Sequence, residues 1–166
     1  DFLIQEMIEF PNELGLFYCR MPNEEKGKIT GITRKVFLTV EGNGVDNLEQ
    51  LMKKDPRHEM QLVSLKRELD LTEVLQAGVK KCLVPYGNHS RGTAFLNGQE
   101  MITEKLHQVI DKLLANIKGF YYGRLDLRFN TFEELEQGVN FSIIEVNGAK
   151  SEPTHIYDPK QSFWFG

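Results

Sequence analysis

Two predicted strands near the C-terminal end carry polar side chains of the kinds that bind a metal and a phosphate. Arg124 and Asp126 alternate with apolar residues in the first strand, and Glu145 and Asn147 do so in the second. Because successive side chains of a strand point to opposite faces, the two members of each pair share a face, roughly 7 Å apart. Carboxylate and amide oxygens are ligands that Mg²⁺ prefers, and a guanidinium fits a phosphate with two parallel donors. The spacing therefore favours a metal and phosphate site on this surface.

The same alternation places these side chains opposite a predicted core. Leu125, Leu127 and Phe129 occupy the other face of the first strand, and Ile144 and Val146 that of the second. Polar residues that alternate with apolar ones also line the solvated face of any one-sided sheet. From alternation alone, a solvated face and a metal site both remain open.

The order of the two motifs, Arg-x-Asp and then Glu-x-Asn, resembles the C-terminal metal-binding strands of the ATP-grasp superfamily, and of D-alanine–D-alanine ligase-like enzymes within it. The resemblance implies that Asp126, Glu145 and Asn147 hold one or two Mg²⁺ ions. It also implies that Arg124 stabilises charge on a transferred phosphoryl group.

The opening of the chain is similar to the hinge strand of the same superfamily and to the strand after it. The resemblance implies that Gln5, Glu6, Met7 and Ile8 lie along the adenine of bound ATP. It further implies that an acidic residue at the start of the next strand, Glu13, contacts the ribose.

The loop at residues 87–92 resembles an Asn-containing, glycine-ended loop that lies near the phosphates and the acceptor substrate in related ligases. On that resemblance Asn88 contacts the nucleotide. For Arg91 two readings stay open: a catalytic contact with a phosphate or substrate carboxylate, or a solvated loop arginine. His89 is either a hydrogen-bonding loop residue or a catalyst.

Three further residues have two readings each. His155, in a tail that follows Glu-x-Asn where ligases of this kind carry a substrate loop, either shapes the substrate site or has no such role. Arg128 reaches a phosphate or pairs with Glu145. Lys35 contacts a phosphate or lies on a solvated face.

Composition fixes the broad class of protein. The chain has 166 residues, of which 40% are hydrophobic and 27% charged, and this suits one domain with a core of its own over residues 1–166. A net charge of −4 gives no reason to expect nucleic acid as a partner. The apolar stretches are too short to cross a membrane, and the two cysteines lack metal or redox spacing. We expect a cytoplasmic location.

The hydrophobic pattern predicts an α+β fold, an antiparallel sheet with packed helices that resembles the C-terminal lobe of an ATP-grasp fold. Strands are predicted at 2–9, 14–20 and within 28–40, in addition to the two that carry the site. Helices are predicted at 45–54, from Pro56 to about Leu69, at 71–79, from Thr103, and after Thr131.

The resemblance to the ATP-grasp superfamily implies an ATP-dependent ligase that joins a small carboxylate to a small amine or thiol through an acyl phosphate, with ATP and Mg²⁺. The resemblance implies a phosphate-covering lobe before Phe2, so we expect the chain to be the C-terminal part of a longer protein and inactive alone. One alternative is a nucleotide-binding or regulatory module without turnover. Another is a Mg²⁺-dependent phosphohydrolase, for which His89 would have to supply the base.

Overall fold

The computed structural model describes residues 2, 4, 6–162 and 164, and its contacts divide the chain into two compact units. The first unit comprises Asp1–Lys35 and Phe95–Gly166, and the second comprises Val36–Ala94. The single domain expected from the sequence stays a prediction.

In the described part of the chain, three strands are followed by three short helices, and the remaining strands and two helices come after them. The strands are β1 (Asn12–Cys19), β2 (Lys28–Val36), β3 (Leu38–Glu41), β4 (Lys80–Val84), β5 (Ala94–Asn97), β6 (Tyr122–Phe129) and β7 (Phe141–Asn147). The helices are α1 (Leu48–Met52), α2 (Pro56–Glu59), α3 (Leu62–Leu65), α4 (Glu104–Ala115) and α5 (Phe132–Glu136).

A five-stranded sheet of order β5-β2-β1-β6-β7 forms the centre of the first unit. The strand β1 runs antiparallel to β2 and β6, and β6 runs antiparallel to β7. One face of the sheet packs on α4 and α5 through a core that includes Leu14, Leu16, Tyr18, Ile32, Leu106, Ile110, Leu114, Leu125, Leu127 and Leu135. On the opposite side of the sheet, the alternating side chains of β1, β2 and β6 form a second face that carries polar residues.

Both helices of the first unit begin where the sequence predicts. Thr103 caps α4 by accepting a hydrogen bond from the Leu106 backbone N at 3.2 Å, and Thr131 caps α5 by accepting one from Glu134 N at 3.3 Å. Their buried apolar residues, Leu106, Ile110 and Leu114 on α4 and Leu135 on α5, pack in one core with those of the sheet.

A bulge in β7 corrects one expectation. Leu127 lies opposite Ile143 and Asp126 lies opposite Glu145, so Ile144 is an extra residue in the ladder. Ile143, and not Ile144, packs against the core, and Val146 is 56% exposed at the sheet edge. Ile143 faces the core, and in a regular strand Glu145, two residues later, would face it as well. Because Ile144 is an extra residue, Glu145 lies on the polar face instead.

The strand predicted at residues 2–9 is wrong, because the described residues of this stretch form no strand and β1 begins at Asn12. A strand needs a partner ladder, and here the Ile8 carbonyl instead accepts a hydrogen bond from Arg128 Nη1 at 2.6 Å.

The second unit contains the antiparallel pair β3–β4 and the short helices α1, α2 and α3 around its own core. Asp55 caps α2 and Pro56 is its first residue, as predicted. The single helix predicted from Pro56 to Leu69 is two short helices, and the helix predicted at 71–79 is wrong. That stretch is irregular and pairs its Val74 with Asn47 in an isolated bridge.

Within the described residues, no helix has the length and apolar character needed to cross a bilayer.

Candidate functional site

The register of the sheet aligns residues in rows across the face that lies away from α4 and α5. Each row runs through β2, β1, β6 and β7 in that order. The rows are Gly31–Phe17–Arg124–Asn147, Thr33–Gly15–Asp126–Glu145 and Lys35–Glu13–Arg128–Ser142. The predicted juxtaposition is confirmed: Asp126 lies directly opposite Glu145, and Arg124 lies directly opposite Asn147.

The Asn147 side-chain amide lies between the Glu145 carboxylate and the Arg124 guanidinium. With its nitrogen toward Glu145, it donates to Glu145 Oε1 at 3.2 Å and accepts from Arg124 Nη2 at 3.1 Å. With the amide reversed, its oxygen lies 3.2 Å from the same carboxylate oxygen. That is close to the spacing of two neighbouring oxygens around a cation bound at about 2.1 Å from each. Asn147 and Glu145 can therefore hydrogen-bond to each other or act together as two ligands of one ion.

The Asp126 carboxylate is buried and held by two cations. Its Oδ1 lies 3.0 Å from Arg124 Nε, and its Oδ2 lies 3.1 Å from Lys35 Nζ. Among the described residues, no cluster of three or more His, Cys, Asp or Glu side chains is arranged to hold a metal. The candidate donor set is thus mixed, with two carboxylates and one amide on neighbouring strands.

Gly15 makes room for this arrangement. A Cβ at that position would lie 3.1 Å from Asp126 Oδ1 and 3.4 Å from Arg124 Cδ. Sequence reasoning missed this residue, although a glycine inside an apolar strand is a recognised sign of a close approach.

The third row is an ion-pair network. Glu13 is 3% exposed and accepts from Lys35 Nζ at 2.7 Å, and Arg128 Nε lies 3.9 Å from its other oxygen. Arg128 lies directly opposite Glu13 on β1 and forms its ion pair with that carboxylate, whereas its neighbour on β7 is Ser142. The solvated-face reading of Lys35 is wrong, because this residue is buried. The ribose contact predicted for Glu13 stays a prediction.

The opening segment lines a surface pocket of about 490 Å³ together with residues at the far end of the sheet. Glu6, Met7 and Ile8 border it from one side, and Asn130 and Ser142 from the other. Gln5, also predicted to contact adenine, lies outside the described residues. Met7 is 63% exposed, so its side chain is accessible to a planar ligand.

The predicted loop residues Asn88 and Arg91 belong to the second unit. Asn88 Oδ1 accepts hydrogen bonds from the backbone N and the hydroxyl of Ser90, at 2.9 and 2.7 Å, and so caps a short 3-10 helix at His89–Arg91. Arg91 Nη2 donates to Glu68 Oε1 at 2.8 Å, and this hydrogen bond raises the pKa of the guanidinium. Their contacts with nucleotide and substrate stay predictions.

The tail after β7 is fixed to β2 on the polar face. Thr154 Oγ1 donates to Thr33 Oγ1 at 2.9 Å, and both residues are buried. The His155 ring lies against Gly31, where a Cβ would be 2.5 Å from its Cε1 atom. Burial lowers the pKa of His155, which favours the neutral imidazole. No pattern in the sequence indicated the Thr33–Thr154 pair.

Comparison with known proteins supports the fold. No protein-family model matches the chain, and no curated protein matches it. Among solved structures, it is similar to a bifunctional glutathione synthetase from Pasteurella multocida, with a TM-score of 0.55 over 89% of this chain at 16% identity. The likeness establishes the fold. It is α+β, with an antiparallel sheet and packed helices, consistent with the C-terminal lobe of an ATP-grasp fold, as predicted. The chain spans 22% of the length of that synthetase.

Proposed function

We propose that this chain belongs to an ATP-dependent ligase that joins a carboxylate to an amine or thiol through an acyl phosphate. The observation that carries the proposal is the register that sets Arg124 and Asp126 against Asn147 and Glu145. A fold shared with a glutathione synthetase, itself a ligase, supports the same class.

The donor set fits Mg²⁺ by its chemistry, since it offers carboxylate and amide oxygens and leaves positions for water and phosphate. Asp126, Glu145 and Asn147 would hold the ion, which would neutralise charge on the β- and γ-phosphates. Arg124 already points its guanidinium at this set, 3.0 Å from Asp126 and 3.1 Å from Asn147. It would stabilise negative charge on the transferred phosphoryl group.

The nucleotide would extend from this face toward the pocket lined by the opening segment, with Gln5, Glu6, Met7 and Ile8 along the adenine. Glu13 would contact the ribose. We further propose a D-alanine–D-alanine ligase-like subtype, a cytoplasmic location, and action as part of a longer protein that supplies the remaining contacts to ATP.

Glu145→Gln in the longer protein tests this function. The variant removes the charge of one metal ligand, so ATP-dependent ADP formation with Mg²⁺ and a panel of carboxylic acids and amines should fall by at least about 100-fold. Because Glu145 is exposed, the free energy of unfolding should change by less than about 0.5 kcal/mol. Glu133→Gln, an exposed change on α5, is the matched control and should retain activity. Wild-type turnover by Glu145→Gln would contradict the proposal.

One observation favours a second candidate, a nucleotide-binding module without turnover. Both oxygens of Asp126 are already bonded, one to Arg124 and one to Lys35. Such a module would bind ATP without forming ADP under any condition of the experiment above, and Glu145→Gln would then change nucleotide binding alone.

A further inference from the structure

Lys35 is a buried lysine whose ammonium bridges two carboxylates on different strands. Its Nζ lies 2.7 Å from Glu13 Oε1 and 3.1 Å from Asp126 Oδ2, and its side chain is 4% exposed. The Phe95 ring closes the site from a third side, with its centroid 5.7 Å from Nζ. These distances place a fixed positive charge within hydrogen-bond range of a candidate metal ligand.

The bridge depends on the empty space above Gly15. Lys35 lies opposite Glu13, whereas Asp126 lies one strand further and opposite Gly15, so the lysine reaches its second partner diagonally across β1. A side chain at position 15 would meet Asp126 Oδ1 at 3.1 Å. The sheet thus brings a lysine on β2 to an aspartate two strands away.

We propose that Lys35 is a positioning residue that acts as an internal counter-ion: it holds Asp126 and Glu13 in place in the cation-free state and lowers the affinity of the site for a divalent cation. The inference rests on the proposed function, in which Asp126 is a metal ligand. It adds a residue, Lys35, whose positive charge weakens metal binding.

Electrostatics gives the sign of the effect. Two buried carboxylates are costly unless they are well paired, so the lysine between them adds to the charges of Arg124 and Arg128 and stabilises the metal-free fold. The same positive charge repels a divalent cation at Asp126, and even with the dielectric constant of water this repulsion at about 5 Å amounts to roughly tenfold in affinity. Lys35 therefore makes the site preformed and at the same time weaker.

Manganese binding to the protein measures this directly, through the electron paramagnetic resonance signal of free Mn²⁺ and without any turnover. Lys35→Met should bind Mn²⁺ roughly tenfold more tightly than wild type, because the opposing charge is gone. Lys35→Arg keeps the charge and should stay within about twofold of wild type. Lys28→Met, an exposed change on the same strand, should have no effect. A role in folding alone would leave Mn²⁺ affinity unchanged.

A second variant covers the case in which Lys35→Met fails to fold. The double variant Glu13→Gln, Lys35→Met removes both members of the buried Glu13–Lys35 pair, so no Glu13 carboxylate is left buried without the lysine. The tighter Mn²⁺ binding should persist in this variant. If wild type binds Mn²⁺ and the lysine-free variants bind it equally or more weakly, the counter-ion inference is overturned while the proposed function stands. If neither wild type nor the variants bind Mn²⁺, the metal site itself is wrong and both proposals fall.

Discussion

The candidate site owes its shape to two glycines as much as to its charged residues. Gly15 leaves room for the Asp126 and Arg124 side chains, and Gly31 leaves room for the His155 ring. Both occupy strands on the polar face, where glycine would otherwise weaken the sheet. At these two positions the absence of a side chain lets neighbouring groups approach the backbone.

Gly31→Ala should therefore destabilise the protein. The new Cβ would lie 2.5 Å from the His155 ring, so the tail has to shift, and overpacking of this kind costs about 1–3 kcal/mol. Gly148→Ala is the matched control, because no atom lies within 4 Å of its added Cβ, and it should change stability by less than about 0.5 kcal/mol. Urea unfolding of both variants gives the comparison. Equal stabilities would show that the tail does not pack on β2 as described.

The sequence predicted those site residues whose face of the sheet follows from alternation along a single strand. Arg124, Asp126, Glu145 and Asn147 each follow from the two-residue period of a strand, and the register confirms their juxtaposition. The partner of Asp126 on β2, Lys35, could not be predicted, because the pairing depends on the relative register of strands distant in sequence.

At the scale of elements, one side-chain network joins β1 to α4. The Tyr18 hydroxyl donates to Asp111 Oδ1 at 2.5 Å, and Gly27 N donates to the same oxygen at 2.8 Å. Burial, and then the hydrogen bond and charge of Asp111, raise the pKa of Tyr18 to about 12. The network fixes the helix against the sheet where the pairing of β1 with β2 shifts register, between Phe17 and Tyr18.

Because the pKa of Tyr18 is raised, part of the stability of the folded protein is lost at alkaline pH. The folded state favours the neutral phenol, so this contribution is complete below the ordinary pKa of 10 and disappears as pH rises through about 12. Tyr18→Phe should be less stable than wild type by about 1 kcal/mol at pH 8, and the difference should shrink between pH 10 and 12. Urea unfolding across this range measures it. A difference that stays constant to pH 12 would contradict the assignment.

Helices and strands were predicted well where the hydrophobic pattern and a capping residue agree. They were predicted poorly where the structure depends on pairing with another strand. The starts of α2, α4 and α5 follow from their capping residues, Asp55, Thr103 and Thr131. Residues 2–9 have the composition of a strand, but the described part of this stretch has no ladder to join. The bulge at Ile144 was equally hidden, because it depends on how β7 meets β6.

At the scale of the whole molecule, the fold class was accessible from sequence because strands and amphipathic helices segregate along the chain. The likeness to a glutathione synthetase supports that fold at 16% identity. The division into two compact units was not predicted, because each unit closes its own core from residues that hydrophobic periodicity does not assign to one or the other. The proposed metal and phosphate site is formed by residues of the first unit.

The central claim is that this face binds a divalent cation for use with ATP. A crystal of the protein grown with Mn²⁺ and a non-hydrolysable ATP analogue tests it most directly, through the anomalous scattering of manganese. We predict a peak about 2.1–2.3 Å from oxygens of Asp126, Glu145 and Asn147, and no such peak in Glu145→Gln. An ordered nucleotide with manganese elsewhere, or with Asp126 still bonded on both oxygens by Arg124 and Lys35, would contradict the claim.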